Sequence, residues 1–300
     1  MLGIVILNYL NWWDTVELIE TIRKQTFKDY YVVIVDNCSQ NGSVEKLEEL
    51  YSVEEKIHLL EASSNEGFAR GNNIGIYYAI NDLNVQDVFL LNNDTLLLDK
   101  NYLENLANIK YGKTVGAVGT KILDANGKNQ NPVYGVHSLR EACLGLLRNT
   151  FLYKLCRPSL KYLKHLFVNF KMSITRKKIR TETNSKIEEG SSILHGSAVL
   201  LTKNYLEQYP GLYPETFMFF EENILDFLLK KNSLRAEYYD QISIKHKEDQ
   251  SSTLAFDDIT TRKQKMLVNS WGKYLKLRCM SRKRIKRHFS VHCTDSTVKF

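Results

Sequence analysis

Cysteine at paired spacing is missing from this chain. Its five cysteines, Cys38, Cys143, Cys156, Cys279 and Cys293, are odd in number, widely spaced and contain no C-x-x-C pair, which speaks against a disulfide framework or a zinc ribbon and fits a reducing compartment. Long hydrophobic runs are also absent. No window holds the roughly eighteen uncharged apolar residues of a spanning helix, and the start, with a short apolar run and no basic segment before it, does not read as a signal peptide. Internal repeats and low-complexity segments are lacking as well. What is present is a globular composition: 300 residues, 43% apolar and 11% aromatic, enough for one large domain or a domain with an appendage.

Acidic residues are nearly missing from two stretches. Residues 139–180 hold eleven Lys/Arg and one acid, Glu141, and residues 262–288 hold eleven Lys/Arg and none. The net charge of +7 therefore hides an acidic body with two basic arms, a pattern that suits an anionic partner surface.

Along the first hundred residues, short apolar runs alternate with helical periodicity. Strands are predicted at residues 3–7, 31–35, 57–60 and 88–91, and helices at 13–23, 44–51 and around 72–80. Each strand ends in a polar cluster: Asp36-Asn37-Cys38-Ser39 after the second, the loop from Ser63 to Gly67 after the third, Asn92-Asn93-Asp94-Thr95 after the fourth. Four such alternations predict an α/β fold with a mostly parallel central sheet and helices on both faces, with ligands bound at the carboxyl ends of the strands. Residues 116–123 read as a further strand, 139–180 as basic amphipathic helix, 190–201 as sheet, 217–231 as a helix preceded by a loop, 236–246 as the last strand, and 260–288 as a basic helical tail.

Three groups of residues have chemistry to offer. Asp94, flanked by amides at a strand end, can hold Mg or Mn through hard oxygen, although N-N-D is also a common turn sequence. Gly67 and Gly71 read either as turn residues or, with Arg70 between them, as a phosphate-contacting loop. Glu221 and Glu222 follow Phe217-Met218-Phe219-Phe220; aromatic surroundings favour the raised pKa of a general base, and the alternative is an ordinary helix start with acids favoured by the dipole.

The order of these motifs resembles glycosyltransferase family 2, the inverting nucleotide-sugar transferases of GT-A type fold, and within it the rhamnosyltransferase-like branch that builds bacterial capsule, O-antigen and cell-wall polysaccharide. The matching pieces are Ile6-Leu7-Asn8-Tyr9, Val35-Asp36-Asn37-Cys38-Ser39, Asn65-Glu66-Gly67-Phe68-Ala69-Arg70-Gly71-Asn72-Asn73 and Leu91-Asn92-Asn93-Asp94-Thr95. The resemblance implies donor contacts from Asn8, Tyr9, Asp36, Asn65, Gly67, Phe68, Arg70, Asn73 and Asn93. It implies a metal at Asp94 with Asn92, where the family's first acid is replaced by an amide, and a third ligand or diphosphate contact at His246. The base falls to Glu222, with Glu221 as the alternative, and Gly196-Ser197-Ala198 resembles the segment lining the acceptor side. His195, Trp12 and Trp13 read as packing or surface residues. Where relatives carry an acid and an arginine one helical turn apart, this chain has Ile224 and Leu228, an exchange that leaves no charge unpaired.

These expectations add up to a transferase using a nucleotide-diphosphate sugar and Mn or Mg, with a lipid-linked or growing saccharide as acceptor, cytoplasmic and peripheral on the inner face of the membrane. The expected domain is 1–258, with a nucleotide-sugar half (1–125), a basic helical insertion (139–185) and an acceptor half (190–250), followed by a basic tail, 259–300. The arms are read as a contact to an anionic leaflet, with a pair of solvated helices or an oligomer contact such as a homodimer as the alternative. Rival readings are a catalytically silent glycan-binding or scaffold relative, motivated by Asn92, Ile224 and Leu228, and a nucleic-acid binder, motivated by the cluster from Arg282 to Arg287.

Overall fold

The computed structural model describes residues 1–135, 143, 192–247, 259–289 and 296–298. The four apolar runs form β1 (Leu2–Asn8), β2 (Tyr30–Asp36), β3 (Ile57–Ala62) and β4 (Asp87–Asn92), side by side in the order β3-β2-β1-β4 and all parallel. Their register sets Asn8 opposite Asp36 and Leu7 opposite Asn92, so the polar clusters that end the runs share one edge. Between the strands lie α1 (Trp12–Arg23), α2 (Ser43–Tyr51) and α3 (Gly67–Asn81).

The second half extends the same sheet. β5 (Thr95–Leu96), α4 (Tyr102–Ala107) and β6 (Val115–Leu123) come first, and β7 (Val133–Tyr134) pairs with β8 (Ser192–Ile193) in a two-stranded ladder. β9 (Ala198–Leu201) runs antiparallel between β4 and β6. After α5 (Lys203–Leu206) and α6 (Glu221–Lys231), β10 (Arg235–His246) lies parallel to β6, and α7 (Ile259–Arg278), α8 (Arg282–Phe289) and β11 (Ser296–Val298) complete the described chain. The nine strands are ordered β11-β3-β2-β1-β4-β9-β6-β10-β5.

Period-two alternation divides the strands between two apolar layers. Ile4, Ile6, Val32 and Ile34 face Leu18, Ile22, Leu47 and Tyr102 from α1, α2 and α4. Val5, Val33 and Val35 face Ala69 and Ile76 of α3 and join a core that continues through Tyr205, Leu228 and Tyr274. Gly75 permits the close seating of α3, because a Cβ there would lie 2.6 Å from Val5 Cγ1. Ile224 and Leu228 are both buried in this second layer, 2% and 0% exposed, so the pair of apolar residues fills core volume.

Three details differ from the sequence-based expectations. α3 starts at Gly67 rather than near Asn72, so most of the glycine-containing motif is helix rather than loop. α6 starts at Glu221, because Phe219 and Phe220 adopt left-handed φ of 72° and 80° that end any helix there. In the basic tail, Leu267, Trp271, Tyr274 and Leu275, whose spacing offers an apolar stripe to a membrane interface, turn inward: Trp271 and Tyr274 are buried in the second layer with Leu277, Met280, Ile285 and Phe289, and Leu267 and Leu275 pack against it. Residues 139–180, expected as amphipathic helix, lie outside the described residues apart from Cys143. Among the described residues no helix is long and apolar enough to cross a membrane.

Candidate active site

The carboxyl edge of the parallel strands is built from amides and hydroxyls that fasten one loop to the next. Asn8 donates through Nδ2 to Asp36 Oδ2 at 2.6 Å and accepts at Oδ1 from Thr15 Oγ1 at 2.8 Å. Ser39 donates twice to Asp36, from its backbone N–H to Oδ1 at 2.8 Å and from its hydroxyl to Oδ2 at 2.7 Å. Burial pushes the Asp36 carboxyl up, while the bonds from Ser39 and Asn8 pull it back and Glu61 adds a small upward push. Asn93 donates to Asn11 O at 2.9 Å, and Asn73 grips Leu212 at both ends, donating to its carbonyl at 2.7 Å and accepting from its N–H at 2.6 Å.

Four of the residues expected to touch the donor, Asn8, Asp36, Asn73 and Asn93, are therefore turned into the protein, where they shape the loops. The reason is physical: their polar atoms sit beside buried backbone and hydroxyl groups that need partners. Tyr9, Asn65, Phe68 and Arg70 remain partly exposed, and Gly67 is buried at the start of α3. Asn65 accepts from Gly67 N at 3.0 Å, and Arg70 spans from Pro214 O, at 2.8 Å, to Glu66, at 3.2 Å.

Asp94 follows the end of β4 on this edge. Asp94 is 5% exposed, and its Oδ1 has no hydrogen-bond donor among the described residues. His246, at the end of β10, brings Nε2 to 3.3 Å from that oxygen. The other ring nitrogen, Nδ1, lies 3.0 Å from Gln130 Oε1, a contact that suits the tautomer in which Nδ1 donates and Nε2 can serve as a metal ligand. In that tautomer a buried carboxylate oxygen and a buried ring nitrogen offer a cation two ligand positions. A separation near 3 Å is what two neighbouring positions of an octahedron with bonds of about 2.1 Å would give, so the residues fit a hard divalent ion. No cluster of three or more His, Cys, Asp or Glu side chains is present among the described residues, so the remaining positions would fall to amide, diphosphate or water oxygens. Asn92 stands half-buried beside Asp94.

The loop from His195 to Ser197 closes on the same point. His195 packs edge-on against His246, with ring centroids 5.6 Å apart, and its Nδ1 accepts from Ser197 N at 3.1 Å. Asn92 N–H donates to Ser197 O at 2.9 Å, tying this loop to the end of β4. Next to it, Gly196 N–H donates to Glu222 Oε1 at 3.3 Å, and a Cβ on Gly196 would stand 2.9 Å from that oxygen. Glu222 is half-buried, whereas Glu221 is buried with Oε1 lacking a hydrogen-bond partner among the described residues, and burial, helped by the Glu222 charge, pushes the Glu221 carboxyl up to about 8. His195 and Gln130 were not recognisable as site residues from sequence: His195 precedes a small-residue segment that hinted at this place, while nothing marks Gln130.

The sequence profile of glycosyl transferase family 2 matches residues 3–182. The chain belongs to glycosyl transferase family 2. The fold agrees with that membership: the chain superposes on S. aureus TarS with a TM-score of 0.52 at 15% identity, over 82% of this chain and 36% of that one. A mannosyltransferase from Pyrobaculum calidifontis, solved with GDP-Man and Mn2+, aligns with a TM-score of 0.52 at 14% identity, over 97% of this chain and 73% of that one. Both have the GT-A fold of the family. In sequence, the chain is 26% identical over 223 residues to the low-salt glycan biosynthesis hexosyltransferase Agl10 of Haloferax volcanii, covering 74% of this chain and 59% of that protein. The chain thus spans less than two thirds of the length of that curated relative.

Proposed function

We propose that this member of the family is an inverting transferase that moves a sugar from a nucleotide-diphosphate donor to a saccharide acceptor. The observation that carries this reading is the buried Asp94 Oδ1, which accepts no hydrogen bond among the described residues and lies 3.3 Å from His246 Nε2, on the strand edge to which the family resemblance assigns the donor. The Mn2+ and GDP-Man bound by the Pyrobaculum relative support a cation and a nucleotide sugar in the same role here. Asp94 and His246 would hold the cation, with Asn92 beside them. The chemistry such an ion would supply there is neutralisation of charge on the departing diphosphate.

The chain's own part is to present a base opposite the leaving group. Glu222, half-buried and oriented by Gly196 N–H, takes the proton of the acceptor hydroxyl as its oxygen attacks the anomeric carbon. Glu221 is the weaker choice, because its carboxyl is buried away from the opening and, raised to about 8, is only in minor part ionised at neutral pH. Tyr9, Asn65, Phe68 and Arg70 border the opening where the nucleotide would lie. The acceptor is proposed as a lipid-linked or growing saccharide of a surface polysaccharide, in line with the glycan biosynthesis role in the name of the Haloferax relative. The exposed bases of α8, Arg282, Lys283, Arg284, Lys286 and Arg287, support a peripheral position on an anionic inner leaflet. A rhamnosyltransferase-like specificity is part of the same proposal.

The test is a thermal-shift panel of UDP-glucose, GDP-mannose and dTDP-rhamnose with and without MnCl2. A nucleotide sugar at a hundred times its Kd raises native stability by about 2.7 kcal/mol. Wild type is expected to show a Mn-dependent shift with one donor, Asp94→Ala to lose it, and Glu222→Gln to keep it while transfer falls by about a hundredfold or more. An Asp94→Ala protein that retains the Mn-dependent shift would overturn the metal assignment, and a Glu222→Gln protein with near-native turnover would overturn the base.

A further inference from the structure

The segment between α5 and α6 is held from two sides. Toward α3, Asn73 grips Leu212, Arg70 donates to Pro214 O at 2.8 Å, and Phe68 N–H donates to Phe217 O at 2.7 Å. Toward the C-terminal helices, Ser270 Oγ donates to Met218 O at 2.8 Å, and Glu215 accepts from Lys273 Nζ and from His288 Nδ1, each at 3.1 Å. At the end of this segment stand Phe219 and Phe220, two consecutive residues with left-handed φ, and the next two residues are Glu221 and Glu222.

Left-handed backbone costs a residue with a Cβ of order 1 kcal/mol or more, so two in succession persist only where surrounding contacts impose them. The contacts at Phe220 come from α7. Its ring lies 4.3 Å from the Trp271 ring and 5.4 Å from the Tyr274 ring, centroid to centroid, and all three are buried. Tyr274 is braced in turn by Phe227 of α6, edge-on at 6.2 Å. Released from Trp271, Phe220 has every reason to leave the left-handed region, and the turn that aims the first residues of α6 would change with it.

We infer that α7 is a positioning device for the general base: Trp271, with Ser270 and Tyr274, locks the left-handed Phe219-Phe220 turn and thereby fixes Glu222 against Gly196. This rests on the reading of Glu222 as the base, and it makes Trp271 a positioning residue that touches neither donor nor acceptor. Its loss should lower the rate of transfer far more than it alters donor binding, since its ring packs on Phe220, next to the base, whereas Phe68 and Arg70 on the donor side hold the segment farther from it, at Phe217 O and Pro214 O.

The experiment compares wild type, Trp271→Ala, Trp271→Phe and Ser270→Ala as full-length proteins, by hydrogen exchange and by transfer kinetics with whichever of UDP-glucose, GDP-mannose or dTDP-rhamnose is turned over. Trp271→Ala is expected to speed exchange of amides in residues 217–224 by tenfold or more while β1, β2 and β4 keep their protection. Its kcat should fall ten- to a hundredfold with donor KM within twofold, and Trp271→Phe should recover most of both effects. Ser270→Ala, which removes only the bond to Met218 O, should show the same split more weakly and serves if Trp271→Ala does not fold. Unchanged exchange in 217–224, or a uniform rise across the whole chain with kcat falling only in step with the folded fraction, would overturn the inference. The exchange result stands apart from the chemistry: if Glu222→Gln turns out active, the base assignment fails while exchange still decides whether Trp271 locks the turn.

Discussion

A buried carboxyl next to another acid records its environment in the pH dependence of stability. Glu221 is raised to about 8 by burial first and by the Glu222 charge second. The folded protein therefore keeps a proton on Glu221 that the unfolded chain gives up near the ordinary glutamate value, about 4.3. Stability from this group is fully present below that value and is lost as pH rises toward 8, at up to about 1.4 kcal/mol per pH unit. Glu221→Gln keeps the shape without the titration. Denaturant unfolding from pH 5 to pH 8 should therefore show a Gln variant that gains on wild type steadily with pH; a difference that stays constant across that window would mean that Glu221 is ionised at no cost. Single residues were only partly legible in the sequence. Asp94 and His246 stood out because each ends a strand at a motif position, but the inward turn of Asn8, Asp36, Asn73 and Asn93 depends on partners such as Thr15, Ser39, Leu212 and Asn11, whose placement only the fold reveals.

Elements were read well where an apolar run is short, buried on both faces and closed by a polar cluster, as in β1 to β4. Boundaries failed where one residue decides the backbone. Helix α3 begins at Gly67, with φ of +76°, immediately against the 217 carbonyl: a Cβ there would come within 2.2 Å of Phe217 O. Phe68 N–H, one of the helix-start donors without an intrahelical partner, is satisfied by that same carbonyl. Gly67→Ala would meet both a disfavoured φ and backbone that cannot withdraw without breaking this bond, at an expected cost of about 2–4 kcal/mol. Urea unfolding of the variant measures it, and a loss under about 1 kcal/mol would mean that the two loops separate easily. The aromatic run from Phe217 to Phe220 misled for a related reason. Its apolar spacing suits a helix, while the left-handed conformation of its last two residues is imposed by Trp271, some fifty residues later in the chain.

At the scale of the molecule, the basic C-terminal stretch has two faces with separate physical roles. Trp271, Tyr274, Leu277, Met280, Ile285 and Phe289 close the second apolar layer, and β11 pairs antiparallel with β3 at one edge of the sheet. Burying a large apolar side chain contributes about 1.5–3 kcal/mol, so six of them approach the whole stability of a typical domain, about 5–15 kcal/mol. A chain ending at Asp258 is accordingly expected to lose its cooperative thermal transition, and with it activity on soluble and vesicle-borne acceptors alike. Charge can be tested without touching that face. Arg282, Lys283 and Arg284 are exposed in the first turn of α8, where the helix dipole disfavours cations, so their joint replacement by Gln should leave the melting temperature unchanged or slightly raised. If α8 meets an anionic leaflet, each base near the surface contributes about 1 kcal/mol, and the triple variant should bind vesicles containing phosphatidylserine at least tenfold more weakly at low salt. Because that attraction fades within a Debye length of about 8 Å at physiological ionic strength, the gap should narrow as salt rises. Equal vesicle binding by wild type and the triple variant at low salt would remove the membrane from the account of the tail and leave α8 with its inward role alone.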